Sequence, residues 1–186
     1  FRSRNAADFL DGIDEGSYVM VDAYSGYNRL KKIRRCCCYA HIRRYLMEAI
    51  PKGHEKDYSH PAVQGVVYCN KLFEYERSYK EKGLSYAQVY KRRQKDAKLV
   101  VEGFMRWLDG QYPEKGSRMD RAVTYIRNRK DTLMTYLEDG RCSLNNNPSE
   151  NSLRLVTLGR KNWLFSDSPE DANASMVVYT MVEMAK

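Results

Sequence analysis

The sequence predicts an α/β chain in which helix dominates: two short strands, a long helical block, then two closing helices. Three features carry this. The stretch YVMVD, Tyr18 to Asp22, is an apolar run that ends in an acid, the pattern of a buried strand with Asp22 at its carboxyl end. From Ala40 the apolar residues take up helical spacing and keep it to about Asp139. Beyond that, Asn147-Pro148 and Ser168-Pro169 each set a capping residue before a proline, the usual opening of a helix.

Taken in order, AYSGYN supplies a turn around Gly26 after the first strand. IRRCCCY, Ile33 to Tyr39, reads as a second strand whose cysteines serve as small buried residues. Ile42, Tyr45, Leu46, Ala49 and Ile50 predict a helix that stops at Pro51. Val63, Val66, Val67 and Phe73 predict a second helix, and Ala97, Val100, Val101, Phe104 and Leu108 a third that ends near Gly110. Met119, Ala122, Val123, Ile126, Leu133, Met134 and Leu137 predict a fourth, with Ser117 and Asp120 as its capping box and Gly140 as its stop. GRKNWLF reads as irregular, and the last helix carries Ala172, Met176, Tyr179 and Thr180 on one face. Two strands do not make a stable sheet alone, so the sheet is expected to begin upstream of residue 1. The absence of an initial methionine also reads as a piece of a longer polypeptide.

An apolar content of 42% over 186 residues fits a globular protein. No apolar run approaches the roughly 20 residues of a membrane span, and FRSRNAADFLDG is too polar for a signal peptide. The net charge of +8 favours an acidic partner, most commonly nucleic acid. Five cysteines, three of them consecutive (Cys36, Cys37, Cys38), make a poor disulfide framework and point to a reducing, cytoplasmic setting. Cys38-x-x-His41 is the nearest approach to zinc-ligand spacing, and no second pair accompanies it.

Two acids stand out. Asp22, at the end of a strand, sits where α/β folds place catalytic groups; it could equally cap the following turn. Glu150 lies three residues after Asn147, so a capping box accounts for it locally. A cap does not account for the residues beyond it: Arg154 one turn on, then Arg160 and Lys161 interleaved with Trp163 and Phe165. Cations neutralise phosphates and aromatic rings stack on bases. The plain alternative is a surface Glu150–Arg154 pair and a solvated basic loop.

Three segments, VDAYSGYNRL, CCYAHIRRYLMEA and the run from Asp139 to Lys186 containing NNNPSENSLRLVTLGRKNWLFSD, together resemble the insertion-sequence 66 family of bacterial DNA transposases. The resemblance is strongest from Asp139 onward. It implies a partial ribonuclease H-like core with a large all-helical insertion: residues 1–39 as the last strands of the sheet, 40–139 as the insertion, and 140–186 as the return to the core. It implies an Asp-Asp-Glu triad holding two Mg²⁺ (or Mn²⁺) ions, with the second aspartate at Asp22 and the glutamate at Glu150, a separation of 128 residues from 22 to 150. Cys38 and His41 match the family's Cys-x-x-His element, at the rim of the site. Arg154, Arg160, Lys161 and Trp163 become DNA contacts.

The partners implied are transposon ends and target DNA, and further copies of the chain in a homo-oligomer at the nucleoid. The first aspartate has no match, since Asp8, Asp11 and Asp14 lie too close to Asp22 in a polar segment. Ala23 and Tyr39 stand where the family often has glycine and tryptophan. The expectation is therefore the carboxyl-terminal part of a transposase catalytic domain, inactive alone. Its rivals are a non-catalytic helical DNA-binding or assembly module, and a small zinc module on Cys36 to Cys38 and His41.

Overall fold

In the computed structural model, residues 12–21, 32–147, 151 and 168–184 are described. The chain divides into two compact units, Phe1–Asn145 and Asn146–Lys186.

The first unit opens with β1 (Tyr18–Val21) and β2 (Arg34–Cys37), which pair in parallel with Tyr18 opposite Arg34 and Val21 opposite Cys37. Pairing extends ahead of the strands: Gly16 N–H donates to Lys32 O at 2.7 Å and Arg34 N–H to Ser17 O at 2.8 Å. β1 is less buried than its apolar run predicts. Val21 is buried, but Tyr18, Val19 and Met20 are half-exposed among the described residues. The turn predicted around Gly26 lies outside them. β2 is one short strand that ends at Cys37, with Cys36, Cys37 and Cys38 all buried as small core residues.

Helices then stack on one another. α1 (Tyr39–Ala49) buries Tyr39, Ile42, Leu46 and Ala49, and Pro51 stops it as predicted. α2 (Pro61–Glu81) starts with Pro61 at its first position and His60 as cap, whose Nδ1 accepts from Ala62 N–H at 3.2 Å. α3 (Tyr86–Arg92) opens with a complete capping box between Ser85 and Gln88. One π-helical turn (Arg93–Ala97) joins it to α4 (Lys98–Asp109), which buries Val101, Phe104 and Leu108. α5 (Arg118–Arg127) is capped by Ser117, whose Oγ accepts from Asp120 N–H at 3.0 Å. α1 packs on both α2 and α5, and α2 packs on α4. Gly65 permits this approach: a Cβ there would lie 2.7 Å from Trp107 and 3.0 Å from Leu46.

Three sequence expectations change here. The helix predicted through Leu137 ends at Arg127, and two 3₁₀ turns, Lys130–Thr132 and Thr135–Leu137, take over. Leu133 and Leu137 are buried at helical spacing, but Thr132 turns its hydroxyl back onto Arg129 O at 2.9 Å, and such local bonds favour turns over helix. Asp120 does not close a capping box; its carboxylate accepts from Gly116 N–H at 2.8 Å. Gly140 is not the stop of that helix. A Cβ on Gly140 would land on the carbonyl oxygen of Tyr86, so its role is close packing of the return segment against the start of α3. α3 itself has one buried residue, Val89, which leaves almost no periodic signal; Ser85-x-x-Gln88 is its one sequence clue.

Arg93 is the largest fully buried side chain, 2% exposed. Its Nε and Nη2 donate to the two carboxylate oxygens of Glu76 at 2.8 and 2.7 Å. Nη1 donates to the carbonyls of Tyr136 and Asp139, and Nη2 to that of Cys142, each at 2.8 Å. The guanidinium also lies over the Tyr136 ring, 5.0 Å from its centre.

In the second unit, α6 (Pro169–Met184) starts where predicted, with Ser168 Oγ accepting from Asp171 N–H at 3.1 Å. At the helix expected from Pro148, Asn147, its expected cap, and Asn151 are both helical; Pro148 itself and the segment GRKNWLF lie outside the described residues, as do the side chains of Ala172, Met176, Tyr179 and Thr180.

Three substitutions probe this packing. Arg93→Met should lose about 3–5 kcal/mol, because it strands the Glu76 carboxylate and three carbonyls. Arg93→Lys should recover little of that, since an ammonium cannot span the five-donor fork. Gly140→Ala should cost about 1–3 kcal/mol through overpacking against backbone. Urea unfolding followed by circular dichroism measures each loss.

Candidate functional site

The strand that precedes one candidate acid packs against the segment that precedes the other. Val21 ends β1 immediately before Asp22 in the sequence. Residues 133–145, the approach to Glu150 in the sequence, run against β1, β2 and the start of α1. Tyr18 OH donates to Glu138 at 3.2 Å, and Arg34 forms an ion pair with the same carboxylate. Tyr39 N–H donates to Leu144 O at 3.0 Å and Tyr39 OH to Leu133 O at 2.8 Å. Gln94 holds Leu137 O at 2.8 Å. A segment with little regular structure leaves carbonyls that must find partners; here groups from α1 and the π turn provide them. Tyr39 is fully buried with its hydroxyl satisfied.

Asp22, Glu150, Arg154, Arg160, Lys161 and Trp163 lie outside the described residues. Cys38 and His41 lie within them. Cys38 is the N-cap residue of α1, buried, with no capping bond from its side chain. His41 is half-buried one turn later, so the two occupy one face of the helix start. Val21 and Cys37 end their strands side by side. Cys38 and His41 therefore lie just beyond the edge at which the chain runs on to Asp22. Among the described residues no group of three or more His, Cys, Asp or Glu side chains is gathered as for a metal, so the zinc-module reading gains no support from Cys36 to Cys38 and His41.

A cavity of about 550 Å³ opens along β1, lined by Tyr18, Met20, Cys36, Asp139, Arg141 and Cys142 among others. The strand ends Val21 and Cys37 do not line it. Its electrostatics are local. Hydrogen bonds from Arg141 hold the Asp139 carboxyl down at about 2. Cys36 Sγ donates to Cys142 Sγ at 3.9 Å. This bond and burial push the Cys36 thiol up, and the same bond pulls Cys142 down. Burial pushes Cys37 and Cys69 up to about 12. All five cysteines are unbridged.

Arg93 is a structural residue that sequence reasoning misses. It sits in the run KRRQK, where nothing in composition separates the one buried arginine from its exposed neighbours.

The transposase IS66 family profile matches residues 2–174 of the chain. Two uncharacterised proteins of Sinorhizobium fredii are similar: y4hP, 29% identical over 184 residues, and y4qI, 26% identical over 179 residues. Each alignment covers 90% of this chain but 33% and 32% of the relative. The chain thus spans about a third of the length of the curated relatives it matches. No solved structure matches the chain.

Thiol chemistry offers a direct check of the cavity. Iodoacetamide near neutral pH should alkylate Cys142 ahead of Cys36, Cys37 and Cys69, because the thiolate is the nucleophile. Peptide mass spectrometry after timed labelling reads the order.

Proposed function

We propose a role that starts from lineage: this chain belongs to the transposase IS66 family. It is the carboxyl-terminal part of a catalytic domain that, in the intact protein, cleaves DNA strands and joins them to a target. Asp22 and Glu150 are its metal-binding catalytic acids, and a further aspartate is expected upstream of residue 1. The proposed donor set is all carboxylate oxygen, which suits a hard divalent ion such as Mg²⁺ or Mn²⁺. Two such ions, when bound, activate the attacking oxygen and stabilise the leaving one. Arg154, Arg160 and Lys161 neutralise phosphates, and Trp163 stacks on a base. Cys38 and His41 form the rim at the strand edge.

In this reading β1 and β2 are the last strands of a ribonuclease H-like core, residues 1–39. Residues 40–139 are its helical insertion, and 140–186 return to the core. One observation carries it: a chain that leaves at Cys37 and travels through five helices is brought back against β1 and β2, with Tyr18 and Glu138 bonded. That is what a triad split by a long insertion requires. Among the described residues no helix is long and apolar enough to cross a membrane. DNA ends, target DNA and further copies of the chain are the partners, at the bacterial nucleoid.

The test uses the full-length parent. Asp22→Asn and Glu150→Gln should each reduce strand transfer on a donor plasmid to background while DNA binding by gel shift is retained. Unchanged transfer would overturn the assignment. This chain alone should give no Asp22-dependent nicking of supercoiled plasmid in Mn²⁺; such nicking would show that the upstream aspartate is not needed.

A further inference from the structure

The helical block carries a basic, aromatic groove that the proposed acids do not account for. It runs between α1 and α5 in the first unit, where Tyr45, Glu48, Arg118 and Arg121 line a cavity of about 360 Å³. Beside it four side chains stack. The Arg44 guanidinium lies 5.8 Å from the centre of the Tyr45 ring, Tyr45 stacks on Tyr125 at 4.2 Å, and Arg129 covers Tyr125 at 3.8 Å.

The charges are unequal in the groove. The one acid among its described lining residues, Glu48, is already paired with Arg44 at 4.0 Å. Arg118 and Arg121 are exposed, one turn apart on one face of α5, and neither guanidinium has a hydrogen-bonded or ion-paired partner among the described residues. Other exposed arginines are engaged, Arg34 with Glu138, Arg127 with the carbonyls of Leu108 and Gln111, Arg141 with Asp139, and what sets Arg118 and Arg121 apart from other unpaired ones such as Arg77 and Arg106 is that they line a concavity together. A concave site with two unneutralised guanidiniums, walled by a tyrosine already stacked from behind, is complementary to the phosphates and sugars of a polyanionic backbone.

We propose that the α1–α5 groove is a DNA-backbone contact site, in which Arg118 and Arg121 bind phosphates and Tyr45 forms an apolar wall. This rests on the transposase reading for the identity of the polyanion. Its physical role is sequence-independent holding of duplex by the helical block, separate from any contacts at Arg154, Arg160 and Lys161. The stack of Arg44, Tyr45, Tyr125 and Arg129 holds the tyrosine wall in place, so that little freedom of Tyr45 is lost on binding.

The probe is a labelled 30-base-pair duplex of arbitrary sequence, bound to this chain and followed by fluorescence anisotropy from 50 to 200 mM salt. Each phosphate contact contributes about 0.9 to the slope of log affinity against log salt. Arg118→Ala/Arg121→Ala should therefore lower that slope by about 1.8 and weaken binding about tenfold or more at low salt. Arg118→Lys/Arg121→Lys should keep most of the slope. The control, Arg77→Ala/Arg106→Ala, removes the same charge from exposed positions on α2 and α4 and should leave the slope nearly unchanged.

Equal losses in both alanine pairs would overturn the proposal, because net charge alone would then explain binding. No loss in the groove variant, or no duplex binding by the wild-type chain, would overturn it too. Thermal unfolding by circular dichroism should match wild type, since neither guanidinium bonds within the described residues. Should the double alanine variant unfold, single alanine and lysine variants at each position take its place, and each alanine should lower the slope by about 0.9. None of these failures touches the transposase reading, which the strand-transfer assay on Asp22 and Glu150 decides by itself.

Discussion

One guanidinium holds the first unit in register. The five N–H donors of Arg93 meet five acceptors: two oxygens of Glu76 and the carbonyls of Tyr136, Asp139 and Cys142. Such a full set is what makes burial of the charge tolerable, because a desolvated cation with any donor unpaired is costly. The acceptors come from α2 and from a return segment more than forty residues further along the chain. Arg93 opens the single π turn between α3 and α4, and such turns frequently occur at sites where a helix serves a special role. Arg93 lies four residues after the buried Val89 and so on the same helix face, while Arg92 remains exposed.

The return segment explains why such a device is needed. After α5 the chain abandons α-helix for two 3₁₀ turns and then irregular backbone. Its buried carbonyls have no ladder of their own, and they are met by side chains from elsewhere: Arg93, Gln94 and Tyr39. The helices and the strand pair are thus joined through polar groups that work in only one arrangement. Apolar packing of Ile42, Leu46, Phe104 and Leu133 supplies the bulk of the cohesion, but it is non-directional and would tolerate sliding. The hydrogen bonds fix where the chain emerges on its way toward Asn145.

Charge is divided in the same way between structure and surface. Arg93 is consumed by the core, and Arg34, Arg127 and Arg141 are occupied by acids or carbonyls. The formal charge of +8 therefore overstates what is offered to a partner in some places and concentrates it in others, the α1–α5 groove among them. Exposed pairs such as Lys71–Glu74 contribute little to stability; their effect is to remove cations from the pool available to a polyanion.

Features that depend on a few adjacent residues are legible in the chain before it folds. Pro51 ends α1, Ser117 opens α5, Ser168 opens α6, and the cysteine run is buried at the end of a short strand. Fixed proline geometry, local capping and side-chain size produce these, and none of them needs a distant partner. The family is legible for the same reason, since its signature is a set of contiguous motifs. The candidate acids are likewise read from their neighbours, as strand end and helix mouth. Folding is what selects the buried arginine of KRRQK, forbids a side chain at Gly140, and puts Leu133 and Leu137 in turns. The first two outcomes are set by atoms tens of residues away, the Tyr136, Asp139 and Cys142 carbonyls for Arg93 and the Tyr86 carbonyl for Gly140. Periodicity and propensity carry no information about such partners, because a hydrogen bond across the fold leaves no mark on the spacing of the residues that make it.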